Sequence, residues 1–155
     1  MEVILKKQIL SIVATLTLII PMAIIGFAGL SGRVKADIPF DFMVGNKEFK
    51  AGRYTVDRLS TNNTAGTLII RSADNNAVAN FNVNSVTGKG DPQASLVFRR
   101  YGNQYFLAQI FDGQSREGFG LMKSKTEREV AKKHETITQN VVEPQFVTVA
   151  AQIGR

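Results

Sequence analysis

The chain has 155 residues, a formal net charge of +6 and no cysteine. The absence of cysteine excludes disulfides, thiolate metal sites, cysteine nucleophiles and a lipid-modified N-terminal cysteine. The basic residues are spread along the chain without the dense Lys/Arg cluster that is typical of nucleic-acid binding. We therefore expect a domain that is stabilised by its core alone and that does not bind nucleic acid.

The N-terminal segment predicts export. Lys6 and Lys7 precede an uncharged, largely apolar run over residues 9–30, which is long enough to span a bilayer as a helix. Small residues near its end also fit a signal-peptidase site. We assign residues 1–32 to a helical leader, either a cleaved signal peptide or a retained signal anchor. Residues 33–155 then form one domain that is periplasmic, on the cell surface or extracellular, with membrane contact through the leader if it is uncleaved.

Period-two alternation predicts that this domain consists mainly of β-strands. Apolar residues occupy every second position from Val34 to Val44, as in a half-buried strand, and Pro39 in this run predicts an edge strand. Further strands are predicted at 54–57, 67–71, 77–86, 95–101, 104–111 and 145–152. The fold class is therefore all-β, with about six to seven strands in an antiparallel sandwich or a small meander barrel. The expected core includes Ile38, Phe40, Phe42, Leu96 or Val97, Phe98 and Leu107.

One hairpin can be placed in register. Residues 102–103, Gly-Asn, lie between two predicted strands, and a glycine in first place favours a type II′ turn. This turn sets Phe98 opposite Leu107 and Arg100 opposite Tyr105 as cross-strand pairs. In contrast, the glycine-rich segment over residues 113–120 is interpreted as a mobile connection.

A single helix is predicted in the C-terminal half. Ser124 and Glu127 form a capping-box pattern, in which the serine accepts a backbone hydrogen bond and the glutamate reaches back to the cap. The segment that follows has few apolar residues, so we expect a short, mostly solvated helix at about 124–134. Its basic residues exceed its acidic ones. The solvated face of this helix therefore either serves solubility or meets an anionic partner such as lipid headgroups.

Two motifs resemble a family of small exported bacterial β-proteins of uncharacterised function. Residues 36–45, ADIPFDFMVG, resemble the family's opening A-D-I/V-P-F-x-F-x-V-G, and residues 51–56, AGRYTV, resemble the A-G-x-Y-x-V that follows it. Weaker matches extend over nearly the whole predicted domain. Lys50 departs from the pattern, because a proline is common there. The resemblance implies a shared fold and export, and it implies no catalytic residue or cofactor.

Candidate site residues are few. The only histidine is His134, so a histidine-based metal triad cannot be assembled, and we predict no catalytic, cofactor-binding or metal-binding residue. An acid/base pair like that of a glycosidase would need two carboxylates, and the candidates are Asp37, Asp41 and Asp57. Charges on edge strands, however, more often prevent aggregation. A possible binding surface combines aromatic and arginine side chains that can stack on a ligand: Tyr54, Arg99, Arg100, Tyr101 and Tyr105. The alternative is that these residues are one core face with its amphipathic rim.

Three functions are therefore compatible with the sequence. The first is a non-catalytic exported β-domain that binds an envelope ligand or protein partner. The second is a membrane-tethered structural component of the surface, and the third is an enzyme of unrecognised type, such as a hydrolase. An apolar pocket with a few converging polar groups would favour the first function.

The leader generates the first testable prediction. Mass spectrometry of protein from the native envelope should find an N-terminus between Gly29 and Arg33, because the small residues near the end of the apolar run fit signal-peptidase cleavage. An intact Met1 in the membrane fraction would contradict cleavage and establish a signal anchor.

Overall fold

The computed structural model describes residues 32–59, 66–89, 92–138 and 143–154. The predicted leader lies outside these residues. Within them the chain forms eleven strands and one helix. The strands are β1 (Arg33–Ile38), β2 (Phe42–Val44), β3 (Lys47–Phe49), β4 (Gly52–Arg58), β5 (Thr67–Ser72), β6 (Val78–Asn82), β7 (Asn84–Thr87), β8 (Ala94–Tyr101), β9 (Gln104–Asp112), β10 (Glu117–Gly120) and β11 (Gln145–Gly154). The helix is α1 (Lys125–Thr138). Among the described residues, no helix has the length and apolar character needed to cross a membrane.

The strand number exceeds the predicted six or seven because two alternating runs are divided and because β3 and β10 lie outside the predicted runs. The run from Val34 to Val44 becomes β1 and β2, separated around Pro39, which has no backbone N–H to donate to a ladder. The prediction that this run is an edge strand was wrong. β1 pairs with β4 on one side and with β11 on the other, and Pro39 lies just beyond its last residue.

The strands form a nearly closed, barrel-like sheet. The ladders run β6-β5-β4-β1-β11-β8-β9, and β10 joins β9 to β7. β6 and β7 are separated only by Val83. They therefore act as one bent strand that links β5 on one side to β10 on the other. All of these ladders are antiparallel, and the structure thus favours the barrel over the sandwich.

The second half of the barrel departs from a simple meander. β8, β9 and β10 follow one another as neighbours, and β11 then returns to pair with β8 instead of β10. Three consecutive antiparallel strands with a fourth beside the first are a Greek key. The return connection contains α1, which is therefore carried across the outside of β8 and β9.

The β2–β3 hairpin lies against the barrel and contributes to its core. β2 pairs in parallel with β9 through Met43 and Phe106. The Phe42 ring stacks on Phe49 with centroids 5.4 Å apart and meets Tyr54 edge-on at 5.0 Å. These rings are almost completely buried, so aromatic side chains fill this part of the interior.

Most of the predicted core is confirmed. Ile38, Phe42, Phe98 and Leu107 belong to one buried cluster, together with Leu96. Its neighbour Val97 is also buried, but it does not belong to that cluster. Phe40 is only half-buried. It packs on the edge of the core, with its ring stacked on Tyr105 at a centroid distance of 3.9 Å.

The predicted β8–β9 hairpin is confirmed in register. Phe98 pairs with Leu107 and Arg100 pairs with Tyr105, and Gly102 has the positive φ of 59° that its turn position requires. A register shift between Val97 and Phe98 then interrupts the ladder. Because of this bulge, the alternation of inward and outward side chains does not continue unchanged along β9.

The core generates the second prediction. Phe42→Ala should lower the free energy of unfolding by about 3–5 kcal/mol, because it removes a fully buried ring that contacts several others. Phe40→Ala should cost less, because that ring is partly exposed. Chemical denaturation of both variants measures the difference. An equal loss for the two would contradict the packing described here.

Candidate binding groove

The outer face of β8 and β9 is divided into two halves. Over the end near the Gly102 turn, α1 covers the sheet, and Tyr101, Phe106 and Ala108 are buried there outside the main core. Over the other end no helix of the described residues lies on the sheet, and an open groove of about 530 Å³ occupies this position. The groove is the candidate functional site.

A buried ion pair fixes the helix to the sheet. The Arg99 guanidinium donates to both carboxylate oxygens of Glu127, one through Nε and one through Nη2 at 3.0 Å. Nη2 also donates to the Leu121 carbonyl at 3.2 Å, and the Tyr101 hydroxyl donates to Glu127 Oε1 at 3.2 Å. Glu127 is only 2% exposed and the Arg99 side chain 11%. The burial of Tyr101 raises the pKa of its hydroxyl, so this group remains a donor at neutral pH.

Half of the predicted capping box is therefore replaced. Ser124 Oγ accepts from the Glu127 N–H at 3.1 Å, as predicted. The Glu127 carboxylate, however, points to Arg99 and not back to the cap. The side chain of Asn46, in the β2–β3 turn, accepts from the Thr126 hydroxyl at 3.0 Å. The first turn of α1 thus contacts both the sheet and the hairpin.

The helix extends beyond the predicted segment 124–134 to Thr138. Its outward basic side chains are exposed, among them Lys125, Arg128 and Lys133. His134 lies beside the β8–β9 turn, since a Cβ placed on Gly102 would come within 3.4 Å of its Nε2. The helix therefore contacts the sheet with one face and is otherwise solvated, as predicted.

The five residues of the predicted binding surface lie in three different places. Tyr54 is buried in the core, where its hydroxyl donates to the Lys50 carbonyl at 2.6 Å. Arg99 and Tyr101 lie together beneath α1. Arg100 and Tyr105 form a cross-strand pair, with the guanidinium 5.5 Å from the ring centroid. The structure brings the members of each pair together, but it does not combine all five in one surface.

The groove is lined by β8, β9, β11, the loop that follows β7 and the loop between β9 and β10. Its apolar part consists of Val97, Phe111, Phe146 and Pro92. Phe146 is 61% exposed, which is unusual for a large aromatic side chain on a central strand. The polar part of the lining comprises Thr87, Lys89, Gln93, Ser95, Gln109, Ser115, Arg116 and Thr148.

Glycines give Phe111 its position in the groove. A Cβ on Gly118 would approach Phe111 Cδ1 to 2.4 Å, and a Cβ on Gly88 would approach Cε1 to 2.9 Å. Both contacts are too close for a side chain, so only glycine lets the ring lie across β10 and the loop after β7. The interpretation of residues 113–120 as a mobile connection was wrong. Residues 117–120 are β10, whose glycines face outward and whose Phe119 faces the core.

The groove carries positive charge. Lys89 and Arg116 are its only charged lining residues among those described, and no acidic residue lies in that lining. The Gly88 N–H donates to the Arg116 carbonyl at 2.7 Å, which holds the two loops next to each other. The two cations therefore approach the groove from the same side.

Two of the three candidate catalytic carboxylates, Asp41 and Asp57, are held in separate ion pairs. Asp57 accepts from Arg33 at 2.9 Å, and Asp41 accepts from Lys50 at 2.9 Å and from the Ala51 N–H at 2.8 Å. These hydrogen bonds, above all the one from Lys50, lower the pKa of Asp41, which is opposite to what a general acid requires. Among the described residues, no group of three or more His, Cys, Asp or Glu side chains is arranged to hold a metal ion.

Comparisons of the chain with protein-family models, curated proteins and solved structures find no match. The site is therefore defined by its geometry alone. Sequence reasoning missed Phe111, Phe146 and Arg116, because long-range pairing brings them together. One signal was present, namely the alternation Gly118-Phe119-Gly120, which indicates a strand with one face free of side chains.

The buried ion pair generates the third prediction. Arg99→Met should lower the free energy of unfolding by about 3–5 kcal/mol, because it leaves the Glu127 carboxylate buried without its cation. Arg33→Met is the control, since it removes an exposed partner of Asp57 and should cost less than about 1 kcal/mol. Adding Glu127→Leu to Arg99→Met should recover part of the loss. Urea denaturation measures all three variants, and equal effects of the two arginine substitutions would contradict the assigned role.

Proposed function

We propose that this chain is an exported, non-catalytic protein that binds a small ligand in the groove on the outer face of β8, β9 and β11. The observation that carries the proposal is the exposed Phe146 beside Val97 and Phe111 in an open groove. The volume of about 530 Å³ lies within the range of small-molecule sites, which combine apolar walls with a few polar groups.

The barrel supports this function as a rigid scaffold. Large side chains such as Phe42, Phe98 and Ile110 fill its interior, so the site lies outside the sheet. Three of the lining residues, Val97, Gln109 and Thr148, lie opposite one another in hydrogen-bonded ladders. Regular strands hold these side chains at fixed separations, as a preorganised binding site requires.

A membrane-tethered structural role is the second candidate, and the exposed basic side chains of α1 favour it. Lys125, Arg128 and Lys133 point away from the sheet, and the leader predicted at residues 1–32 would hold this face near a bilayer. In that case the groove has no ligand, so a test of the groove separates the two functions.

The fourth prediction tests the groove with the neutral dye Nile red, which fluoresces in apolar surroundings. The protein recovered after export should bind the dye, and Phe146→Thr should weaken binding about tenfold by removing an apolar wall. Met122→Thr is the matched control, because Met122 is 76% exposed and is not among the residues that line the groove. Fluorescence titration provides the affinities. No binding, or equal binding by Phe146→Thr and the unsubstituted protein, would refute the proposed site.

A further inference from the structure

We infer that the ligand of the groove is a free, single-chain amphiphile with an anionic headgroup, such as a carboxylate. This inference rests on the proposed function and adds the chemical class of the ligand. It is carried by the way in which apolar and cationic side chains are separated within one groove.

The apolar side of the groove is suited to a hydrocarbon chain. Phe146 lies on β11, and Val97 lies next to it on β8, since the ladder pairs Thr148 with Val97 and Phe146 with Arg99. Phe111 continues this surface on β9, with its ring packed against Gly118 and Gly88. These residues form a floor that crosses several strands. A hydrocarbon chain laid across this floor would cover Phe146, and burial of that apolar area is favourable.

The cationic side of the groove is suited to a negatively charged headgroup. Lys89 belongs to the loop after β7 and Arg116 to the loop between β9 and β10, whereas Phe146 belongs to β11, which β8 separates from β9. Both cations are exposed, and neither forms an ion pair or a side-chain hydrogen bond with another described residue. A carboxylate placed between them would gain charge-assisted hydrogen bonds.

The remaining lining favours an anion over a cation. Its other polar members carry neutral amide or hydroxyl groups, including Gln93, Gln109 and Ser115, and none of the described lining residues is acidic. A cationic headgroup would meet Lys89 and Arg116 without any compensating carboxylate from that lining. A neutral headgroup would bind through the apolar floor alone.

The experiment compares three probes that share one alkyl chain, namely decanoate, decanol and decyltrimethylammonium, each kept below its aggregation threshold. Binding to the protein recovered after export is followed by isothermal titration calorimetry at low and at physiological salt. Decanoate should bind about tenfold more tightly than decanol, as two partly screened charge pairs allow. Decyltrimethylammonium should bind more weakly than either of the other two.

The variant that tests the headgroup site is K89Q/R116Q, which should lower the affinity for decanoate to that for decanol and so abolish the preference. The control K125Q/K133Q removes the same charge from α1 and should keep the preference. Equal binding of decanoate and decanol by the unsubstituted protein would overturn this inference while the groove itself stands. Failure of all three probes would also remove the proposed function.

A last arm separates a free amphiphile from a membrane surface. The protein should not co-float with phosphatidylglycerol vesicles at physiological salt, where surface attraction between exposed charges is screened. The inference would be overturned in favour of a bilayer surface by a combination of three results. The protein floats with the vesicles, K89Q/R116Q abolishes this flotation, and decanoate does not bind.

Discussion

β8 and β9 carry large apolar side chains on both of their faces, and the rest of the molecule is arranged around this constraint. Their inner face, with Phe98 and Leu107, fills the barrel. Their outer face, with Tyr101 and Phe106, also has to leave water. A sheet of this kind needs a second layer. The Greek-key return after β10 supplies it, because the chain has to cross the outside of β8 and β9 before β11 can pair with β8.

The second layer is small, and a charged contact fixes where it lies. α1 has few apolar side chains, so burial of hydrocarbon alone would hold it weakly. Arg99 and Glu127 instead form a bidentate pair with a third donor from Tyr101. The cost of desolvating the two charges offsets most of their attraction, so such a buried pair adds little net stability. Its two parallel hydrogen bonds, however, form only in one relative orientation of the two side chains. The helix is consequently held over one end of the sheet, and the apolar surface around Val97 and Phe111 is left as an open groove.

Local signals in the sequence predicted most of the strands and the β8–β9 hairpin, whose turn residues and cross-strand pairs depend on neighbours in the chain. Contacts between distant segments could not be predicted in this way. Arg99 looked like a surface side chain because its partner Glu127 belongs to another element, and the capping pattern offered that glutamate a local role. The position of Phe111 depends on Gly118 in the next strand. The groove was missed for the same reason, since each of its walls comes from a different part of the chain.

The central position of β11 has a consequence for the order of folding. One edge of β1 pairs with β4, and one edge of β8 pairs with β9. Both partners are close in sequence to the strand that they pair with. The other edges of β1 and β8 stay open until β11 inserts between them, with Arg33 opposite Gly154. Ladders between such distant residues form slowly. During that interval the chain exposes two unpaired strand edges, which are templates for pairing with other chains. Any partly folded chain that lacks the β11 ladders would therefore be prone to associate at one defined seam, between β1 and β8, and the pairing of β11 closes both edges of that seam.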